Sequence, residues 1–221
     1  MKTTIYIDGY NLYFGLVKNT TYKWLNLISL FTEIVKIQNP NSSIINIKYF
    51  SAPVLTRFSK HKTQSQASQS RYHRALEVTG GSKFKIINGY FEANRSTPPV
   101  YEKSIDLQNK VEVWKLEEKQ TDVNIALEMY RDSLNRINEQ QVLVSNDSDL
   151  IPAMKLICKD SPQIELGLVL PKKKSQKRQN AELAQLANWV RRHVTDEELQ
   201  QHQLPNMIAT NKKPIYKPLY W

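Results

Sequence analysis

Residues 3–13 read Thr-Thr-Ile-Tyr-Ile-Asp-Gly-Tyr-Asn-Leu-Tyr, and the predicted fold depends most on this part of the sequence. Its first five residues are β-branched or aromatic, which is typical of a buried strand. The run ends abruptly at Asp8 and Gly9. The stretch therefore predicts a buried first strand that delivers a carboxylate to its carboxyl end.

Along the rest of the chain, apolar runs with strand character alternate with segments of helical periodicity. Further strands are predicted over 44–50, 83–91, 141–145 and 164–170, an extended or hairpin element over 111–116, and helices over 25–39, 121–137 and 146–159. Residues 59–70 predict an exposed helix or loop leading into a helix that ends at Gly80-Gly81. Alternating strands and helices indicate a parallel sheet covered on both faces. The predicted fold class is α/β, a three-layer α/β/α sandwich with a central, mainly parallel sheet.

Two helices and one cysteine carry specific predictions about burial. The helix from Thr121 is the clearest, and its apolar residues at helical spacing are expected to face inward. They are Val123, Ala126, Leu127, Tyr130, Leu134 and Ile137. A further helix is predicted over 183–194, and Cys158 is expected to be buried as a small apolar residue.

The length of 221 residues fits one α/β domain with accessory segments. We expect residues 1–170 to form that domain, and 171–221 to add a basic helix and an extended tail packed on it. No run of about 18 apolar residues predicts a membrane span, and the N-terminus has no signal-peptide pattern. The sequence therefore favours a cytoplasmic protein.

The net charge of +10 is concentrated in two segments. Residues 57–74 contain five basic and no acidic side chains, and residues 171–221 contain ten basic and four acidic ones. Two basic segments beside a nearly neutral body are typical of a protein that follows a phosphate backbone. Solvated surface charge is the alternative reading. The candidates for phosphate contact are Arg71, Arg74, Lys172, Lys173, Lys174, Lys177 and Arg178.

Several aspartates fall where strands are expected to end. Asp8 closes the first strand, while Asp147 and Asp149 follow the strand 141–145. In parallel α/β sheets, ligand sites form at this carboxyl edge. Asp122 starts a helix, and it converges with the others only if that helix begins at the same edge. Each aspartate alone is explained as well by a helix cap or a turn.

Clustered aspartates suit a hard divalent cation such as Mg²⁺, which prefers carboxylate oxygens and retains several waters. Such an ion activates water for attack on phosphorus. Asn11, Ser145 and Asn146 are expected to orient waters and carboxylates, and Tyr10 to stack on a base of a single-stranded substrate. Asp149 has the alternative of reaching the ion through a water molecule.

Three ordered motifs resemble the NYN domain family, a branch of the PIN-like nucleases. They are Tyr6-Ile7-Asp8-Gly9-Tyr10-Asn11-Leu12-Tyr13, Glu118-Lys119-Gln120-Thr121-Asp122-Val123 and Ser145-Asn146-Asp147-Ser148-Asp149-Leu150. The resemblance implies an endoribonuclease dependent on Mg²⁺ or Mn²⁺. It also implies that Asp8, Asp122, Asp147 and Asp149 bind metal, with Asn11 beside them. Asn146 and the pair Gln120-Thr121 depart from the residues of many relatives, but no carboxylate is lost.

Alternatives to a nuclease remain at this stage. One is a non-catalytic RNA-binding or regulatory module that keeps the acidic pocket. Another is an oxygenase acting on a small heteroaromatic compound, although the sequence carries no dinucleotide-binding fingerprint. RNA, single-stranded rather than duplex, is the expected partner, and a homodimer is left open.

Overall fold

Strands and helices alternate along the chain, and the computed structural model describes residues 1–59, 61–176, 181–219 and 221. The strands are β1 (Lys2–Asp8), β2 (Ser43–Ser51), β3 (Phe84–Asn88), β4 (Tyr90–Ser96), β5 (Val113–Lys119), β6 (Gln140–Val144), β7 (Glu165–Val169), β8 (Trp189–Arg191), β9 (Met207–Ile208) and β10 (Ile215–Tyr216). The helices are α1 (Gly9–Leu12), continued by the π-helical turn Tyr13–Val17, then α2 (Leu27–Gln38), α3 (Thr63–Gly80), α4 (Thr121–Leu134), α5 (Ile151–Asp160), α6 (Ala181–Gln185) and α7 (Asp196–Gln201). None of the described helices is both long enough and apolar enough to cross a bilayer.

The main sheet has six parallel strands in the order β3-β2-β1-β6-β7-β8. β1 lies in the middle, where Ile5 pairs with Ile47 of β2 and with Val142 of β6. Its side chains alternate between faces. Ile5 and Ile7 pack into one core, beneath α2 and α3, and Tyr6 packs into the other, beneath α4 and α5. The three-layer α/β/α sandwich is confirmed.

A buried polar network fixes α4 to the sheet. The Tyr6 hydroxyl donates a 2.6 Å hydrogen bond to Oδ2 of Asp132, which is 3% exposed. Lys48 of β2 donates to the same carboxylate and, at 2.8 Å, to Glu128. Burial, followed by the neighbouring Asp132 charge, raises the pKa of Tyr6 well above its usual value. Tyr6 therefore stays a hydrogen-bond donor and Lys48 the counter-ion of Asp132.

The strand predicted over 83–91 is wrong in extent, because the chain leaves the main sheet at Gly89. The Gly89 amide donates to the Ser51 carbonyl at 2.8 Å. A Cβ at Gly89 would lie 2.3 Å from the Lys119 carbonyl oxygen and 2.6 Å from Oγ1 of Thr121, so only glycine allows this approach. Beyond it, β4 pairs antiparallel with β5 in a separate hairpin, which confirms the extended or hairpin element predicted over 111–116.

The helix predicted over 183–194 is also wrong. α6 is short, and β8 follows it as the edge strand beside β7, with Gly167 opposite Trp189. A Cβ on Gly167 would lie 2.1 Å from the Trp189 ring, so the glycine makes room for the indole. The tail then returns to the body, where the Trp221 ring lies 5.4 Å from Tyr72.

α4 is rotated from the predicted orientation, although Ala126 and Tyr130 of the predicted face are partly buried against the same core. Ile125 and Met129 are fully buried against the sheet, whereas Val123 and Leu127 are 59% and 61% exposed. This helix has apolar residues on both sides, and the Asp132 network selects which side faces the sheet. Cys158 is exposed at the end of α5, so its predicted burial is wrong as well.

Candidate metal centre

Asp8 is the most enclosed member of an acidic cluster at the carboxyl edge of the main sheet. It is 1% exposed, at the end of the central strand β1. Asn11 donates to it twice, from its backbone amide at 3.0 Å and from Nδ2 at 2.7 Å, and the Ser145 hydroxyl donates at 2.7 Å. The pKa of Asp8 is raised above its usual value, and burial is the largest cause. The hydrogen bonds from Asn11 and Ser145 lower this pKa, and the Asp147 charge raises it. The carboxylate is thus held in one orientation by three donated hydrogen bonds.

Asp147 follows the neighbouring strand β6 and caps the helical turn that leads into α5. Its Oδ1 accepts the Asp149 amide at 3.1 Å, and its own amide donates to the Ser145 hydroxyl at 3.1 Å. Asn11 Nδ2 also reaches Oδ2 of Asp147 at 3.5 Å. Asn11 and Ser145 therefore tie the two strand-end aspartates together.

Asp122 completes the cluster, because α4 does begin at this edge of the sheet. Gln120, with φ of 72°, turns the chain from β5 into the helix, and Asp122 lies in the first turn. One carboxylate oxygen each of Asp8, Asp122 and Asp147 lies within 4.8 Å of the other two. Burial, followed by the charges of Asp8 and Asp147, raises the pKa of Asp122 to about 7.

The donor set fits a hard divalent cation. Three carboxylates converge, and no ion pair within the described ranges neutralises any of them. After burial, the charges of Asp8 and Asp147 add to the raised pKa of Asp122, and a bound cation would relieve this repulsion. Asp149 is exposed and lies outside the converging trio, where its amide orients Asp147.

Glu118 is a further acidic neighbour that sequence reasoning did not single out. It lies at the end of β5, half-buried, and accepts the Thr121 hydroxyl at 2.6 Å. The pKa of Glu118 is raised above its usual value, and burial is the largest cause. The Thr121 hydrogen bond lowers this pKa, and the charge of Asp8 raises it. The signal that could have found it is its position at the end of a strand, four residues before Asp122.

A cleft of about 640 Å³ opens beside the trio. Three candidate site residues from the sequence line it, namely Tyr10, Asn146 and Lys172. Ser145 is fully buried and holds Asp8, so it lies behind the carboxylates rather than at the substrate.

The other predicted phosphate contacts either do not line this cleft or lie outside the described residues. Lys173 pairs with Asp196 at 2.7 Å, and Lys174 is exposed. On α3, Arg71 is exposed and Arg74 donates to the Lys213 carbonyl in the tail at 3.1 Å. Lys177 and Arg178 belong to the segment that the structure does not describe.

Comparison with known proteins identifies a family and a relative of similar sequence. The profile of the NYN domain matches residues 2–185. The 6-hydroxy-3-succinoylpyridine 3-monooxygenase HspA of Pseudomonas putida is 34% identical over 242 aligned positions, which cover all of this chain and 75% of the relative. A protein of unknown function from Vibrio parahaemolyticus superposes with a TM-score of 0.52 at 14% identity, over 89% of this chain and 94% of that one, and so shares the fold.

Proposed function

Because the chain belongs to the NYN domain family, we propose that it is a metal-dependent endoribonuclease whose centre is Asp8, Asp122 and Asp147. The observation that carries the proposal is the approach of three carboxylates to within 4.8 Å at the carboxyl edge of a parallel sheet. Oxygen ligands of this kind suit Mg²⁺ or Mn²⁺. When bound, such an ion lowers the pKa of a coordinated water and polarises a phosphoryl oxygen.

The protein's own residues orient the metal ligands, bind the RNA backbone and take up a proton. Asn11 and Ser145 orient the Asp8 carboxylate, so the ligand geometry is set before the substrate arrives. Lys172, at the cleft, offers a cation to the RNA backbone. Glu118, half-buried beside Asp8 with a raised pKa, can accept the proton that the attacking water releases.

The test compares cleavage of labelled single-stranded RNA by the wild type and by Asp147→Asn, with Mn²⁺ or Mg²⁺ and then with EDTA. We expect cleavage only with metal and a loss in the variant of at least the 10–100-fold that removal of a ligand-shell contact causes. Asp160→Asn is the matched control, because Asp160 ends α5 at the opposite edge of the sheet. Cleavage that survives EDTA, or that Asp147→Asn retains, would overturn the metal mechanism.

A second candidate is oxygenation of a substituted pyridine, favoured by the 34% identity to a monooxygenase across the whole chain. This reaction requires O₂ and a two-electron reductant, with one oxygen atom entering the ring and the other leaving as water. Incubation with 6-hydroxy-3-succinoylpyridine, NADH and O₂, followed by mass spectrometry, tests it. Loss of the substituted pyridine that requires both NADH and O₂ would favour this function, whereas RNA binding without turnover of either substrate would favour the regulatory module.

A further inference from the structure

The hairpin formed by β4 and β5 has two chemically different faces. Side chains alternate along each strand, and opposite residues share a face. One face carries Phe91, Ala93, Arg95, Trp114, Leu116 and Glu118. The other carries charged and polar residues, among them Lys115, which pairs with Glu117 at 2.6 Å. We call the first set of six residues the inner face of the arm.

The inner face begins at the acidic centre. At its base, Glu118 interacts with the charge of Asp8, and the Phe91 ring lies 6.5 Å from that of Tyr10. Four residues further along the arm, the Trp114 ring lies 5.6 Å from the Phe58 ring, with the Arg57 guanidinium 4.4 Å from the indole. The arm therefore contacts the body of the protein at both ends of this face.

The inner face is nevertheless open to solvent. Trp114 is 56% exposed and Leu116 is 47% exposed, although their strand partners Arg95 and Ala93 lie beside them. Contiguous exposed apolar surface on a soluble protein marks an interaction site. Here it continues directly into the candidate metal centre, so the occupant is expected to reach that centre too.

A second aromatic surface lies on the cleft side of the centre. Tyr10 and Phe14 are 45% and 44% exposed, and their ring centroids are 4.3 Å apart. The Lys18 ammonium lies 4.3 Å from the Phe14 ring. Each aromatic surface thus has a cation beside it, Arg57 on one and Lys18 on the other. This combination of ring and cation is how proteins bind unpaired bases and their phosphates.

We propose that the inner face of the arm and the pair Tyr10–Phe14 are two stacking surfaces for the bases of a single RNA strand that crosses the metal centre between them. The inference rests on the proposed function in taking RNA as the substrate. Residues that share a face of one strand are about 6.8 Å apart. Phe91 and Trp114 lie on opposite strands two such steps apart along the arm, so each ring can receive a different base. Paired bases in a duplex have no free face to offer. The surface therefore selects single strands.

The test measures RNA binding in the Asp147→Asn background with Mg²⁺, where turnover does not consume the probe. Fluorescence anisotropy follows a short unstructured RNA and its duplex. Trp114→Ala and Tyr10→Ala are each expected to weaken single-strand binding about 5- to 150-fold, the effect of losing one base stack. Duplex binding, which is weaker, is expected to stay unchanged. Tyr90→Ala, which removes a 47% exposed ring from the other face of the arm, is the matched control.

Two further variants separate stacking from support of the arm. Trp114→Phe keeps an aromatic ring and is expected to retain most of the affinity. Trp114→Leu keeps apolar bulk against Phe58 and Arg57 but has no ring, and it is expected to bind as weakly as Trp114→Ala. Full affinity in Trp114→Leu, or an equal loss in Tyr90→Ala, would overturn the proposal.

Failure of this inference is distinguishable from failure of the proposed function. Cleavage that requires metal and Asp147, with affinity independent of Trp114 and Tyr10, overturns the stacking surfaces and leaves the nuclease standing. Binding that requires both rings, without metal-dependent cleavage by the wild type, supports the surfaces and overturns the nuclease. A wild type that binds no single-stranded RNA overturns the stacking surfaces.

Discussion

The hydroxyl of Ser145 donates a 2.7 Å hydrogen bond to Oδ2 of Asp8 across the boundary between β6 and β1. Hydrogen bonds to ionised groups contribute about 1.5–3 kcal/mol, and groups that orient metal ligands commonly change metal affinity 10- to 100-fold. We expect Ser145→Ala to weaken Mn²⁺ binding by about that factor, measured by calorimetric titration. Ser133→Ala removes an equally buried hydroxyl that donates to the Tyr130 carbonyl, and it should leave Mn²⁺ affinity unchanged.

The pKa of Asp122, raised to about 7, predicts how stability depends on pH without metal. A raised pKa means that the folded state favours the protonated acid, so stability falls as pH rises from the unfolded value near 4 towards 7. Asp122→Asn is therefore expected to raise the Tm in EDTA at about pH 8 and to change it little below about pH 4. Thermal unfolding at both pH values checks this, with Asp160→Asn as control. An equal effect at both pH values would contradict the prediction.

Added metal should reverse that dependence of stability on pH. A cation that binds the folded state stabilises it by mass action, and it requires deprotonated carboxylates. We expect Mn²⁺ to raise the wild-type Tm more at about pH 8 than at about pH 5.5, and to raise that of Asp122→Asn less at either. A metal-induced shift of equal size in wild type and variant would show that Asp122 is not a ligand.

For the ion pair of Lys48 and Asp132, we expect the effects of two substitutions on the free energy of unfolding to be strongly non-additive. Their side chains are 10% and 5% exposed, so Lys48→Met leaves a buried carboxylate without its counter-ion. The expected loss in the free energy of unfolding is about 3–5 kcal/mol. Lys48→Met combined with Asp132→Asn should recover part of it, because neither buried charge then remains. Urea denaturation of the two single variants and the double variant gives the coupling energy, and additive effects would contradict the prediction.

Gly89→Ala tests the junction between the main sheet and the arm. The added Cβ would meet the Lys119 carbonyl at 2.3 Å, so the backbone leading into α4 must shift. We expect a lower Tm together with weaker Mn²⁺ binding, since Asp122 lies three residues beyond Lys119. Asn88→Ala, at the exposed neighbouring position, should change neither.

Much of the fold follows from local sequence patterns. The apolar run before Asp8 and the similar run before Asp147 are buried strands, and parallel strands deliver their carboxyl ends to one edge. That geometry is why Asp8 and Asp147 could be expected together from the sequence. Asp122 required knowledge of where α4 begins, which depends on the turn at Gln120.

The features that could not be predicted from the sequence depend on contacts between residues that are distant along the chain. Trp189 lies in a strand because Gly167, on another strand, leaves space for its ring. α4 has apolar residues on two sides, and its inward side is selected by Lys48, more than seventy positions earlier. Helical periodicity alone contains neither piece of information.

Asp122 and Asp132 lie on the same helix, separated by ten residues or about 15 Å of axis. Lys48 donates to both Glu128 and Asp132, one turn apart on this helix, and so links it to β2 at two points. Lys48 therefore sets the position along the sheet at which α4 presents Asp122. The ion pair between Lys48 and Asp132 at one end of the helix therefore controls the spacing of the metal ligands at the other end. Substitutions at this pair should alter metal preference before they abolish folding.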